Sequence, residues 1–275
     1  MFRRWNQRRF QFHDVTLGSN VDYALHALAI DEKRGPFLPA LWQLPSHRGF
    51  SYVEQVWFPG AHSNIGGSYE DCSLSDRALH WMISRIEKRE IGLTFFSDWE
   101  ETVKPSVCGK LYESRTAAYQ WSRHRPMVRV INQCRPQPIN GARMASLPRH
   151  AIPIGEAVDY SALQRWRLSE DDKGVIERYC PANLEAALDK TFTPDNPRPI
   201  PIVDEDGEPY NWLRNERHYE ELKEFLPKKY QCLYDKTVAA SANSNEDLSE
   251  FSNSYQGSRI SQRMGGVSDE QTTAA

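Results

Sequence analysis

The sequence predicts an α/β fold: the last strands of a sheet, followed by a mostly helical and irregular C-terminal elaboration. Three observations carry this. Residues 51–58, SYVEQVWF, are a run of β-branched and aromatic residues that stops at Pro59-Gly60, as a strand does. The next residues hold His62 and the pair Gly66-Gly67 between polar neighbours, which reads as a loop. Then LSDRALHWMISRIEKRE gives a helical stripe at Leu79, Met82, Ile83 and Ile86, with Lys88 and Arg89 placed well for the end of a helix dipole.

Taken in order, FQFH (10–13) reads as a short strand ending at Asp14. SNVDYALHALAIDEKR has Val21, Leu25, Leu28 and Ala29 at helical spacing behind Ser19 or Asn20 as a cap, so a helix is expected, stopped by Gly35-Pro36. Pro39 makes FLPALW irregular or an edge segment. Ser73 and Asp76 match a capping-box pattern at the head of the next helix. From about residue 95 to 200 long loops and short helices are expected, with one strand at MVRVI, a short helix in IPIGEAVDYSALQRW and a helix after Pro181. A further helix, in 210–236, ends at Pro227. Residues 237–275 are rich in Ser, Asn and Gln and poor in bulky apolar groups, so a disordered tail is expected after a domain of 1–236.

Composition excludes several classes. A chain of 275 residues suits one large domain or two small ones. Net charge is -3, which argues against a nucleic-acid partner. No apolar run approaches the roughly 18 residues that span a bilayer, and no signal peptide is visible, so a cytoplasmic location is expected. The opening MFRRWNQRRF holds four Arg and no acid, compatible with a transit peptide or a solvated helix face. Five cysteines without a CxxC pair point to reduced thiols rather than zinc or disulfides. The remaining histidines show no metal-ligand spacing, and neither a metal nor a cofactor is expected. The acidic stretches 169–173 and 203–209 read as solvated turns. Arg115, Arg123, His124, Arg125 and Arg129, with Tyr119 and Trp121, form a cluster suited to an anionic group, or to core packing with surface charge.

The histidine loop is a sound place for a general base. A sheet fixes the backbone, the loop exposes the imidazole, and imidazole exchanges protons near neutral pH. Gly66-Gly67 permits a close approach or positive φ, and offers free backbone N–H groups beside Ser63 and Asn64. The same residues also serve as a tight strand-to-helix turn with a structural histidine.

QVWFPGAHSNIGGSY followed by LSDRALHWM resembles the signature of the DUF2235 family, the phospholipase-type α/β-hydrolases related to the Tle1 effectors of type VI secretion. ALHALAIDEKRGPFLPALW is similar to that family's second recurrent block, at the expected distance upstream, and FQFHDVTL also fits. The resemblance spans roughly residues 10–90, with a looser match near YCPANL, and implies a partial α/β-hydrolase-like sheet and lipid-ester hydrolysis. It implies His62 as the base, with Ser63, Asn64, Gly66 and Gly67 forming the binding turn. The acid that holds it is open between Asp14, which lies 48 positions before His62, and Asp31 of AIDE. His26 beside that segment is a further candidate, or a packed structural residue.

Two departures bear on activity. The family's nucleophile elbow, of the type GFSRGA, is absent, as is its Asp-Thr-Val block; no Gly-x-Ser-x-Gly occurs in the sequence. Asn64 stands where the family usually has Asp, so that charge is gone. The expectation is a truncated hydrolase-like chain, inactive as written unless an upstream segment supplies the serine for a lipid or ester substrate. The alternative is a non-catalytic interaction module derived from the same fold.

Overall fold

A computed structural model of the chain describes residues 17–18, 20–43, 52–116, 119, 125–145, 154–171, 176–193, 199–210 and 215–243. The strand expected at 10–13, Asp14, and the tail from 244 onward lie outside these residues. So do Trp121, Arg123 and His124 of the basic cluster.

The centre is a four-stranded sheet: β1 (Tyr23–Ala29), β2 (Tyr52–Phe58), β5 (Glu156–Asp159) and β6 (Ile202–Val203), adjacent in that order and all parallel. A separate parallel pair joins β3 (Met127–Val128) to β4 (Arg143–Met144). The helices are α1 (His62–Gly66), α2 (Ser73–Lys88), α3 (Trp99–Thr102), α4 (Tyr160–Asp171), α5 (Ala182–Thr191), α6 (Glu216–Phe225) and α7 (Lys228–Asn243). Helices cover both faces of the sheet, so its strands are apolar on both sides.

That explains the first correction. YALHALA is strand β1, not a helix. Leu25 and Ala27 pack toward α2 and Leu28 toward the opposite core, so the apolar residues do not alternate and also satisfy helical spacing. Its register is in step with β2: Ala27 lies beside Val56 and Leu28 beside Trp57. Val56, Phe58 and Ala157 face α2, where Trp81 and Ala78 pack on them. Leu28, Trp57 and Val158 face the larger core, which gathers Leu163, Trp166, Leu184, Leu188, Tyr230 and Tyr234 from α4, α5 and α7.

β2 holds two polar residues that the core accepts because each is fully matched. Gln55 donates to the Trp42 and Ile154 carbonyls and accepts from Trp42 N, tying two loops to the strand. Glu54 receives Arg85 from α2 through two bonds of 2.8 and 2.6 Å. Arg77, two turns earlier, grips Asp159 at the end of β5 through 3.1 and 2.6 Å bonds. The buried face of α2 therefore holds Leu74, Arg77, Ala78, Trp81, Ile83 and Arg85, while Leu79 of the expected stripe is exposed. Its cap also differs: Asp71 accepts from Ser73 N, and Asp76 accepts from Lys104 N instead of closing a capping box.

Other boundaries shift similarly. IPIGEAVDYSALQRW holds strand β5 and the start of the longer helix α4, and only two residues of MVRVI pair as a strand. Pro181 does precede α5, and Pro227 separates α6 from α7. α7 runs on to Asn243, past the boundary expected at 237. Among the described residues no helix is long and apolar enough to cross a membrane.

Candidate active site

β1 and β2 end side by side, and the turns that follow them are laced together. Ile30 N donates to Phe58 O, Asp31 N to Gly60 O, and Gly60 N returns a 2.7 Å bond to Asp31 Oδ2. Gly60 has φ +133, and a Cβ there would lie 2.5 Å from Asn64 Cβ, so only glycine lets the chain turn at this point. The turn delivers His62 as the first residue of α1, so the stretch expected as a loop is a short helix instead.

The His62 ring is exposed, stands edge-on to Phe37 at 5.2 Å between centroids, and has no hydrogen-bond partner among the described residues. It is not sealed in apolar packing. Its backbone N–H donates to Glu32 Oε2 at 3.1 Å. Glu32 is 2% exposed and also accepts from Arg34: the backbone N–H at 2.7 Å, Nε at 2.9 Å and the terminal nitrogen at 2.9 Å. Burial opposes the Glu32 charge, but the hydrogen bonds from Arg34 and His62 N outweigh it and bring the carboxyl down to about 2.

Asp31 has a different environment. Oδ2 accepts from Gly60 N and from the Tyr179 hydroxyl, 3.1 Å away. Burial pushes its carboxyl above the ordinary Asp range, and the Gly60 and Tyr179 hydrogen bonds pull the other way. The structure thus brings Asp31 beside the histidine turn through the backbone, without a bond to the His62 ring. His26 sits on β1, within 3.3 Å of Gln55 Oε1 and 5.1 Å between ring centroids from Trp42, and burial lowers its pKa. It packs structurally, away from the turn.

Asn64 is 1% exposed and uses its whole amide. Oδ1 accepts from Ala61 N at 3.2 Å and Tyr112 N at 3.3 Å, while Nδ2 donates to Lys110 O at 3.0 Å. A carboxylate could not make that last bond. The two glycines differ. Gly67 has φ +74 and closes α1, its N–H bonded to Ser63 O, so that group is not free as the sequence suggested. Gly66 has open space where a side chain would be. Ser63 is partly buried and lends its carbonyl to both Gly67 N and Ser68 N.

Residues from far along the chain complete the setting. Tyr179 reaches Asp31, Asn183 Nδ2 donates to Ile30 O, and Arg129 donates to the Ala29 and Phe37 carbonyls. Arg129 of the basic cluster is buried, and burial pushes its pKa down to about 10, so it is a strut under the turn, not a surface cation. Sequence reasoning missed Glu32, Arg34 and Tyr179. The first two were visible as charged neighbours of Asp31, whereas nothing in the sequence marks Tyr179.

Comparison with known proteins agrees with the resemblance over one stretch. Residues 1–85 match the family model described as T6SS, phospholipase effector Tle1-like, catalytic domain. No curated protein and no solved structure matches the chain. The match takes in β1, β2, the histidine turn and most of α2, and leaves β5, β6 and Tyr179 outside it.

Proposed function

We propose that this chain, similar over residues 1–85 to a phospholipase effector catalytic domain, carries the base-and-acid half of a lipid-ester hydrolase site. His62 is the base, and Asp31 is the acid that orients it once substrate and a nucleophile are in place. The observation that supports this most is the pairing of adjacent strand ends: Asp31 follows β1, His62 follows β2, and Gly60 N–H to Asp31 binds the two turns together. In this reading a serine activated by His62 attacks the ester carbonyl, and the imidazole returns the proton to the leaving alkoxide. Asp14 is the other candidate acid, and Ser63, Asn64, Gly66 and Gly67 shape the binding turn.

The sequence holds no Gly-x-Ser-x-Gly, so the nucleophile comes from a segment outside it, and this chain alone hydrolyses esters weakly or not at all. A fluorophosphonate probe should label no serine. A stoichiometric serine adduct contradicts the missing-nucleophile part. Residual hydrolysis of a nitrophenyl ester above buffer should vanish in His62→Ala, and a rate indifferent to that change removes His62 from its role. The second reading, a non-catalytic interaction module, is favoured by the segment after α2, where Leu93 and Phe96 are 60% and 86% exposed.

A further inference from the structure

Beside His62 stands a cation with one terminal nitrogen unused among the described residues. Two nitrogens of Arg34 are taken by Glu32, and its guanidinium lies over Phe37, 3.8 Å from the ring centroid, with the Tyr119 ring 5.6 Å away. The other terminal nitrogen, Nη1, has no acceptor among the described residues, and 16% of the side chain is exposed. Glu32 Oε2 accepts both from Arg34 Nη2 and from His62 N, so the guanidinium and the histidine backbone meet at a single oxygen atom. Phe37 touches both the Arg34 guanidinium and the His62 ring. The Arg34 guanidinium and the His62 ring therefore border the same phenyl ring, and Arg34 is held in place by Glu32 and Phe37.

We propose that Arg34 is an oxyanion subsite, taking the phosphate of a phosphodiester or phosphate monoester through Nη1 while the rest of that molecule lies across Phe37 to His62. A guanidinium fixed on two of its nitrogens presents the third without further loss of side-chain freedom. Glu32 stays charged well into acid and keeps Arg34 aimed over the working pH range. This deepens the proposed ester chemistry, on which it rests only for the purpose of the bound group: the acyl ester lies a few bonds from the phosphate that Arg34 holds.

The test is binding by the full chain, which requires no hydrolysis. Inorganic phosphate is titrated at constant ionic strength against chloride, following the carbon-bound ring protons of His62 by NMR. Saturable shifts with a dissociation constant of about 1–10 mM are expected, the range of a single charge-assisted contact. Arg34→Lys should weaken this several-fold. Arg34→Met alone strands the buried Glu32, so the paired change E32Q/R34M is the decisive variant; folded by its thermal transition, it should bind at least tenfold more weakly. No saturation to about 100 mM, or equal binding by the folded double variant, overturns the subsite. Co-sedimentation with phosphatidylcholine vesicles and with phosphate-free galactolipid vesicles then separates the sources. Retention on the first alone, lost in E32Q/R34M, identifies a lipid headgroup. Phosphate binding without vesicle retention identifies a soluble phosphate ester. Vesicle retention that survives the double variant counts against Arg34. A failed nitrophenyl ester assay with intact phosphate binding would remove the hydrolase reading and leave the subsite standing.

Discussion

Asn64→Asp restores the residue usual in the resembling family, and the structure predicts that it harms this chain. The side chain is 1% exposed, so its partners cannot be replaced by water without rearrangement. The change deletes the 3.0 Å bond from Nδ2 to Lys110 O and sets an oxygen against that carbonyl. Losing the bond costs about 1 kcal/mol, and leaving a buried carbonyl facing another acceptor costs about 1–3 kcal/mol. The bonds from Ala61 N and Tyr112 N remain and strengthen against a charged acceptor, offsetting about 1 kcal/mol. The net loss is about 1–3 kcal/mol at neutral pH. The sign with pH follows from the proton. A protonated carboxyl can donate to Lys110 O, so the folded state raises the new group's pKa above its unfolded value of about 3.9. The penalty is small below that value and grows as pH rises through the folded pKa. Urea unfolding at pH 4 and pH 7.5 reads this directly. At about 3 kcal/mol per M, 2 kcal/mol moves the midpoint down by roughly 0.7 M at the higher pH. An unchanged midpoint at pH 7.5, or a gap that narrows as pH rises, refutes the donor role assigned to Asn64.

Other expectations follow from the same turn and its supports. Gly67→Ala, forced into φ +74, should lose about 1 kcal/mol, whereas Gly66→Ala should be neutral or gain about 0.5–1 kcal/mol; thermal melts that reverse this order would contradict the assignment of the turn. Glu32 falls from an ordinary 4.5 to about 2, so its contribution, about 3 kcal/mol, is complete above pH 4.5 and fades as pH falls toward 2. Glu32→Gln should flatten that acid limb, and parallel acid-unfolding curves for the two proteins would argue against it. Arg85 and Glu54 are each 1% exposed, so Arg85→Met should cost about 3–5 kcal/mol and the E54Q/R85M pair much less, measured by denaturant unfolding as a double-mutant cycle.

The parts legible in the sequence were those with punctuation or a one-sided period. β2 ends at Pro-Gly, α2 is amphipathic, and α5 begins behind Pro181. β1 was illegible because its apolar residues pack on both faces of the sheet, which erases alternation, and its apolar run then fits a helix equally well. The buried face of α2 was misjudged because Arg77 and Arg85 look like solvent residues until Asp159 and Glu54 are placed opposite them. Glu54, a charged residue inside the largely apolar β2, was the available hint that a cation must come to meet it. At the site, the turn after Pro59-Gly60 and an exposed His62 could be read, since they rest on local residue types, but the residues expected as a loop form the short helix α1. The turn's supports could not. Tyr179 and Asn183 arrive from more than a hundred residues away, and contacts of that separation leave no trace in local pattern.

The pairing of β2 with strands on either side has a practical meaning for anyone who would trim this protein to its family-matching portion. β5, which lies beyond residue 85, covers one margin of β2 at Gln55, Val56 and Trp57. Cutting after Arg85 would leave a bare, tryptophan-bearing strand border open to any passing chain, and the piece should come out of cells as inclusion bodies. Amide protons of β1, β2 and β5 should accordingly exchange as a single slow block, because none of the three can open without uncovering its neighbour.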